Sequence, residues 1–196
     1  MGGERDEWTA TADLHGPQFA ELESPAPKLI VFGAVPLAAA LCTLAPVLGW
    51  RAYVVDPRPR FAAADRFHGA EGVLVAWPEE AFAAVGGIEA STAVLLLTHD
   101  PMLDDSALEI ALRSPCAFVG AMGSRRTQAA RRERLLAAGL SDEQVSRLSG
   151  PIGLDTGAQT APETALAILA EIVAVRHGRD GGRLTGAAGS IHEVRS

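Results

Sequence analysis

Between residues 28 and 176, short apolar runs alternate with longer stretches in which apolar positions recur at helical spacing. The runs at 28–32, 51–56, 72–76, 93–98 and 117–120 are built from Val, Leu, Ile and Ala with few polar interruptions. Such runs suit strands covered on both faces, and their alternation with helices is the pattern of βαβ units in a parallel sheet. Helices are expected at 36–48, 79–85 and 105–113, the first stopped by Gly49. Two later helices carry clear start signals. Ser141 with Gln144 and Thr160 with Glu163 have the spacing of a reciprocal cap, and Pro162 suits a first turn. The last helix, 164–176, is expected to bury Leu166, Leu169, Ile172 and Val173 on one side. The fold class is therefore α/β: a parallel sheet with helices on both faces, in three α/β/α layers. Residues 1–27 and 179–196 lack steady periodicity and read as tails around one domain at 28–178.

Composition sharpens this picture in three ways. Aromatic residues are only 5% of the 196-residue chain, so the core has to be made of Ala, Val, Leu and Ile. A formal charge of -7 argues against a nucleic-acid partner, because phosphate backbones are held by clustered Lys and Arg. No apolar run approaches the length needed to span a bilayer and the N-terminus has no hydrophobic signal core, so the expectation is a cytoplasmic protein with no membrane partner. Cys42 and Cys116 are far apart and read as packed thiols; no metal-ligand spacing or nucleophile elbow is present, so no metal or catalytic residue is assigned.

The chemistry-bearing residues fall where strands hand over to helices. Gly33-Ala34-Val35-Pro36-Leu37-Ala38 stands where a dinucleotide-binding fold places its glycine-rich turn, with only the first glycine kept. Ala38 is a mild change, whereas Val35 fills space through which a pyrophosphate would approach the backbone and weighs against NAD(P) in its usual pose. Asp56 ends the second run, close to where an acidic residue would meet ribose hydroxyls; starting a turn with Pro57 is the equally good alternative. Thr98-His99-Asp100-Pro101 follows the most apolar run, so its polar groups emerge at the carboxyl end of a central strand. His99 is read as a proton donor or a ligand-orienting group, against a histidine merely bonded at the strand end. Gly120-Ala121-Met122-Gly123-Ser124-Arg125-Arg126 brings backbone donors, a hydroxyl and two guanidinium groups to one helix N-terminus, a good anion receptor. Arg131, Arg132 and Arg134 look like the continuing basic face of that helix. Gly150 to Gly157 holds three glycines and a proline in eight residues, a shaped loop expected to border the same cleft, with Gly153 and Asp155 as contacts.

Five segments together resemble the C-terminal Rossmann-like domain of the XdhC/CoxI family: Leu29-Ile30-Val31-Phe32-Gly33-Ala34, Val54-Val55-Asp56-Pro57-Arg58, Leu97-Thr98-His99-Asp100-Pro101, Gly120-Ala121-Met122-Gly123-Ser124-Arg125-Arg126-Thr127 and Gly150-Pro151-Ile152-Gly153-Leu154-Asp155. They span residues 28 to about 177 in order, closed by the helix at Ala170-Glu171-Ile172-Val173-Ala174. The resemblance implies an accessory factor, not an enzyme. Such a factor binds molybdenum cofactor (molybdopterin), protects it during sulfuration by a cysteine desulfurase and aids its insertion into a molybdenum hydroxylase client of the xanthine dehydrogenase, aldehyde oxidase or CO dehydrogenase type. Full-length relatives also carry an N-terminal XdhC/CoxI domain, for which the 27 residues before Lys28 are too few. The expectation is that a separate polypeptide supplies it, or that two copies pair as a homodimer. Two other readings stand beside this one: an NAD(P)-dependent oxidoreductase, favoured by Asp56 and the turn at Gly33, and a ligand-free domain that only docks a partner.

Overall fold

In the computed structural model, which describes residues 25–186, the strands are β1 (Lys28–Phe32), β2 (Arg51–Val55), β3 (Ala70–Leu74), β4 (Ala93–Leu96), β5 (Phe118–Ala121) and β6 (Leu148–Ser149). The helices are α1 (Pro36–Leu44), α2 (Pro78–Ala84), α3 (Pro101–Arg113), α4 (Arg125–Ala137), α5 (Asp142–Ser146) and α6 (Ala161–Arg176). All five pairings are parallel and the sheet order is β3-β2-β1-β4-β5-β6. The chain therefore winds outward from β1 to β3, crosses back through α2, and winds outward again from β4, the doubly wound Rossmann order. The tail residues 1–24 and 187–196 lie outside the described residues.

The alternation of side chains along β1 explains both layers. Leu29 and Val31 face a core shared with α1 and α6, while Ile30 and Phe32 face a second core against α2, α3 and the α4–α5 region. Phe32 meets Phe82 of α2 edge to face at 5.2 Å between ring centroids. Lys28 sits at the buried start of β1 with its ammonium donating to Glu89 and to the carbonyls of Gly86 and Gly87. Both cysteines are buried and unpaired, and burial pushes the Cys42 thiol up to about 11. Among the described residues no helix is long and apolar enough to cross a membrane, and no group of three or more His, Cys, Asp or Glu is placed to hold a metal.

Departures from the sequence expectations have local causes. The first helix ends at Leu44 and tightens into a 3₁₀ turn at Ala45–Leu48, since Pro46 has no amide to continue the ladder and Gly49 takes a left-handed φ of 73°. The third helix begins four residues earlier than expected, because Asp100 accepts the Met102 amide and Pro101 fits the first turn. β6 is only two residues long and leaves no periodic trace in the sequence. Both reciprocal caps form as expected, Ser141 with Gln144 and Thr160 with Glu163. The expected apolar side of the last helix is corrected: Leu166 is 63% exposed and Val173 37%, while Ala165, Ile168, Leu169 and Ile172 are buried. The small Ala165 lets α6 lie close in the core it shares with α1 and the sheet, and that contact sets the helix's rotation.

Gly33 has no room for a side chain. Its φ is 110°, and a Cβ placed there would lie 2.7 Å from Cγ2 of Thr98. We expect Gly33→Ala to lower the free energy of urea unfolding by about 1–3 kcal/mol, through backbone strain and the clash, with little change in the denaturant slope.

Candidate anion-binding site

The turns that leave the carboxyl ends of β1, β2, β4 and β5 carry most of the expected site residues, yet two helix N-termini on that edge differ sharply in what they offer. At α1, Val35 is the N-cap and makes no side-chain cap, and Pro36 at the first position brings no amide. The Gly33 amide donates to the Val55 carbonyl at 2.8 Å and the Ala34 amide to Oδ2 of Asp56 at 3.0 Å. At this end of α1, where a dinucleotide would set its pyrophosphate, the amides of Gly33, Ala34 and Val35 are already used.

Asp56 is equally committed. Besides Ala34 it accepts the Arg58 amide at 3.0 Å, and the Arg58 guanidinium grips it with Nε at 2.8 Å and Nη2 at 2.9 Å. A carboxylate has about four lone-pair positions, so none remains for ribose hydroxyls. Burial, at 1% exposure, opposes ionisation, but the Arg58 side chain and the two amides outweigh it and hold this carboxyl below the usual range.

At α4 the balance is reversed. Gly123, with φ 133°, turns the chain so that Ser124 caps the helix, its Oγ accepting the Thr127 amide at 3.2 Å. The Gln128 amide bonds to the Ser124 carbonyl. Of the first-turn donors this leaves the amides of Arg125 and Arg126 without an intrahelical partner. Ser124, Arg125, Arg126 and Thr127 are exposed, and among the described residues neither Arg125 nor Arg126 forms an ion pair. Beside this turn opens a cleft of about 440 Å³ between α3 and α4, lined by His99, Asp104, Arg126, Thr127, Arg131 and Arg134 among others. Of the expected site residues, His99 and Arg126 line this cleft, while Ser124 and Arg125 do not.

Beneath the cleft lies a group the sequence reading missed. Arg131 is corrected from a member of the solvated basic face to a side chain 1% exposed, whose Nη2 pairs with Asp104 at 3.0 Å. Its Nη1 donates to the Met122 carbonyl and to Gln128, while Nε is buried with no partner. Asp104 also accepts the Thr98 hydroxyl, and Gln128 donates to the carbonyls of Ala121 and Met122. Burial pushes the Asp104 carboxyl up, against the opposing pull of Thr98 and Arg131. The end of β4, the end of β5, α3 and α4 are therefore tied through one buried ion pair. No local pattern marks it: Asp104 and Arg131 are 27 positions apart and each looks like an ordinary helix-surface residue.

The remaining expected residues play other parts. Thr98 anchors Asp104, and Asp100 caps α3. Gly120 is a packing glycine, since a Cβ there would lie 2.4 Å from Cδ1 of Ile152. Contrary to the expectation of a shared cleft, Gly153 and Asp155 do not line it. Gly153 donates its amide to Glu171 of α6 at 2.6 Å and Leu154 donates to the Ala167 carbonyl, which draws this loop to the α6 side and leaves Asp155 exposed.

Residues 29–172 match the XdhC Rossmann domain family. The chain is 29% identical over 152 residues to the molybdenum cofactor insertion chaperone PaoD of Escherichia coli (strain K12), covering 78% of this chain and 41% of PaoD. It is likewise 29% identical over 170 residues to a probable xanthine dehydrogenase subunit of Bacillus subtilis (strain 168), covering 83% of this chain and 49% of that protein. A crystal structure described as a xanthine dehydrogenase from Bacillus halodurans superposes with a TM-score of 0.67 at 29% identity, over 84% of this chain and 46% of that one. The chain thus spans less than half the length of each of these proteins.

Two outcomes test the geometry. Asp104→Asn leaves the Arg131 charge buried without its partner and should cost about 3–5 kcal/mol in chemical unfolding, whereas replacing both residues together by apolar ones of similar size should cost much less. The Asp56 carboxyl is held below its ordinary value, so its contribution is present above the unfolded value of about 3.9 and is lost as pH falls through the folded one. In Asp56→Asn the acid side of the stability–pH curve should therefore be flatter than in the parent protein.

Proposed function

Since the chain belongs to the XdhC Rossmann domain family, we propose that it is an accessory domain in the maturation of molybdenum hydroxylases of the xanthine dehydrogenase or CO dehydrogenase type. In this reading it binds rather than catalyses, holding the anionic end of molybdenum cofactor, or of a nucleotide form of it, at the α4 turn. The names of two relatives, a molybdenum cofactor insertion chaperone and a probable xanthine dehydrogenase subunit, support the client class. The observation that carries the reading is the convergence of His99, Arg126 and the open α4 N-terminus on one cleft floored by a buried arginine.

The residues present fit a phosphate-bearing ligand. The unpartnered Nε of Arg131 adds a buried guanidinium donor group to a wall that already carries Arg126 and Arg134. Arg134 is itself engaged by Asp105 at 2.6 Å, so the charge open to a ligand comes from Arg125, Arg126 and the helix end. The amides of Arg125 and Arg126 would hold the phosphate oxygens, their guanidinium groups would neutralise it, and His99 would orient the ligand from the facing wall. The metal's redox chemistry belongs to the client enzyme that receives the cofactor. Sulfuration by a cysteine desulfurase, and pairing with an N-terminal XdhC/CoxI domain or a second copy of this chain, are parts of the same proposal.

A titration followed by intrinsic fluorescence or calorimetry tests this. Purified protein should bind molybdopterin or its nucleotide form, and the double variant Arg125→Ala/Arg126→Ala should bind at least about tenfold more weakly, with a shallower dependence on salt. Unchanged binding in the double variant would remove the site. Micromolar binding of NADH or NADPH, with none of the pterin, would favour an oxidoreductase instead.

A further inference from the structure

Pro162, Leu166, Ala170 and Val173 recur at spacings of four, four and three along α6 and so share one stripe on its outer side. Leu166 is 63% exposed and Val173 37%, although local periodicity predicts both in the core. The neighbouring helix continues this apolar surface. α1 packs against α6, and in the 3₁₀ turn that follows α1 the side chains of Val47 and Leu48 are 82% and 45% exposed. The Arg176 guanidinium lies 5.3 Å from the Trp50 ring centroid, which sets the end of α6 beside that turn. No charged residue occurs between Lys28 and Arg51, so covering α1 would take no ion out of water.

Among the described residues nothing covers the stripe. After α6 the chain turns back, with the Arg179 amide donating to the Ala174 carbonyl at 2.8 Å and Gly181 close to Leu154, toward the loop that α6 holds at Gly153. The stripe is also self-complementary. Leu166 and Val173 stand four and three residues on either side of Ala170, so an antiparallel copy of α6 crossing there sets Leu166 against the partner's Val173, and the reverse. The small side chain of Ala170 lets the two helix axes come close at the crossing. Charge agrees with this arrangement: Glu163 is exposed at the first turn of α6 and Arg176 at its last, and among the described residues neither forms an ion pair. An antiparallel pair sets the acidic end of each helix beside the basic end of the other and opposes the two helix dipoles.

We propose that this face is the contact between two copies of the chain, an isologous interface centred on Ala170 of α6 and flanked by Val47 and Leu48 beside α1. The inference rests on the reading of the chain as an accessory domain that pairs with a second copy, and gives that pairing its surface and its direction, but it uses no residue of the anion site. The cleft between α3 and α4 belongs to the helix layer on the opposite face of the sheet, so pairing through α6 leaves both clefts open to a ligand.

Sedimentation equilibrium of the full chain at micromolar concentration should give twice the chain mass of 20.4 kDa. Leu166→Glu/Val173→Glu alters only exposed helix positions, so it should keep the circular dichroism of the parent while weakening association at least about hundredfold. Glu163→Gln, which preserves the reciprocal cap, should weaken it by a smaller factor that disappears at high salt. Direction is read by oxidation with diamide. Ala170→Cys should link the two copies and Leu166→Cys should not, because an antiparallel crossing brings only the central position within about 7 Å of its counterpart; Cys42 and Cys116 are buried. A monomeric parent, a dimer that survives Leu166→Glu/Val173→Glu, or linkage at Leu166→Cys with none at Ala170→Cys would each overturn the interface. So would a monomeric parent whose α6 gains protection from hydrogen exchange only when the rest of a relative such as PaoD is added, which would give the face to that other half. Pterin binding by a monomeric parent would sink the pairing and leave the α4 site standing, whereas a dimer of the stated geometry that binds no pterin would do the reverse.

Discussion

Covering the central strands on both faces is the constraint from which the rest of this molecule follows. β1 and β4 are buried along their whole length, so a polar side chain in either would have to leave water for a hydrocarbon layer with few partners. Polar groups are thereby driven to the strand ends. At the carboxyl edge they meet helix N-termini, where amides without intrahelical partners and the helix dipole favour negative charge. That this edge suits negative charge is thus a consequence of how the sheet is buried, before any particular ligand is considered.

Which part of the edge is open depends on contacts within the chain. At α1, Asp56 takes the Ala34 amide, Gly33 and Val35 spend theirs on carbonyls and Pro36 supplies no donor, so this turn offers few groups to an anion. At α4, the Asp104–Arg131 pair and Gln128 hold the ends of β4 and β5 in fixed relation from below, and the exposed turn above them keeps its amides and arginines. A buried ion pair of this kind is weak evidence for stability, because desolvation offsets much of the attraction. Its value here is positional, since it links a threonine at the end of one strand, two helices and the carbonyls that end another.

Local sequence was enough to define the layers, the parallel sheet and the turns that carry polar groups, because runs such as Leu29–Phe32 and the caps at Ser141 and Thr160 depend on neighbours a few residues away. It also marked His99, Ser124, Arg125 and Arg126 as candidates from a strand end and a helix start, and His99 and Arg126 line the cleft. What it left open was decided by contacts between residues far apart in the chain. The burial of Arg131 needs Asp104 from another helix, the rotation of α6 that exposes Leu166 is set by α1, and the two-residue β6 exists only through its pairing with β5. The roles of Asp56 and Asp155 belong to the same class. Only the folded chain brings Ala34 to one and draws the other away toward α6, because a hydrogen bond across the sheet edge leaves no trace in local periodicity.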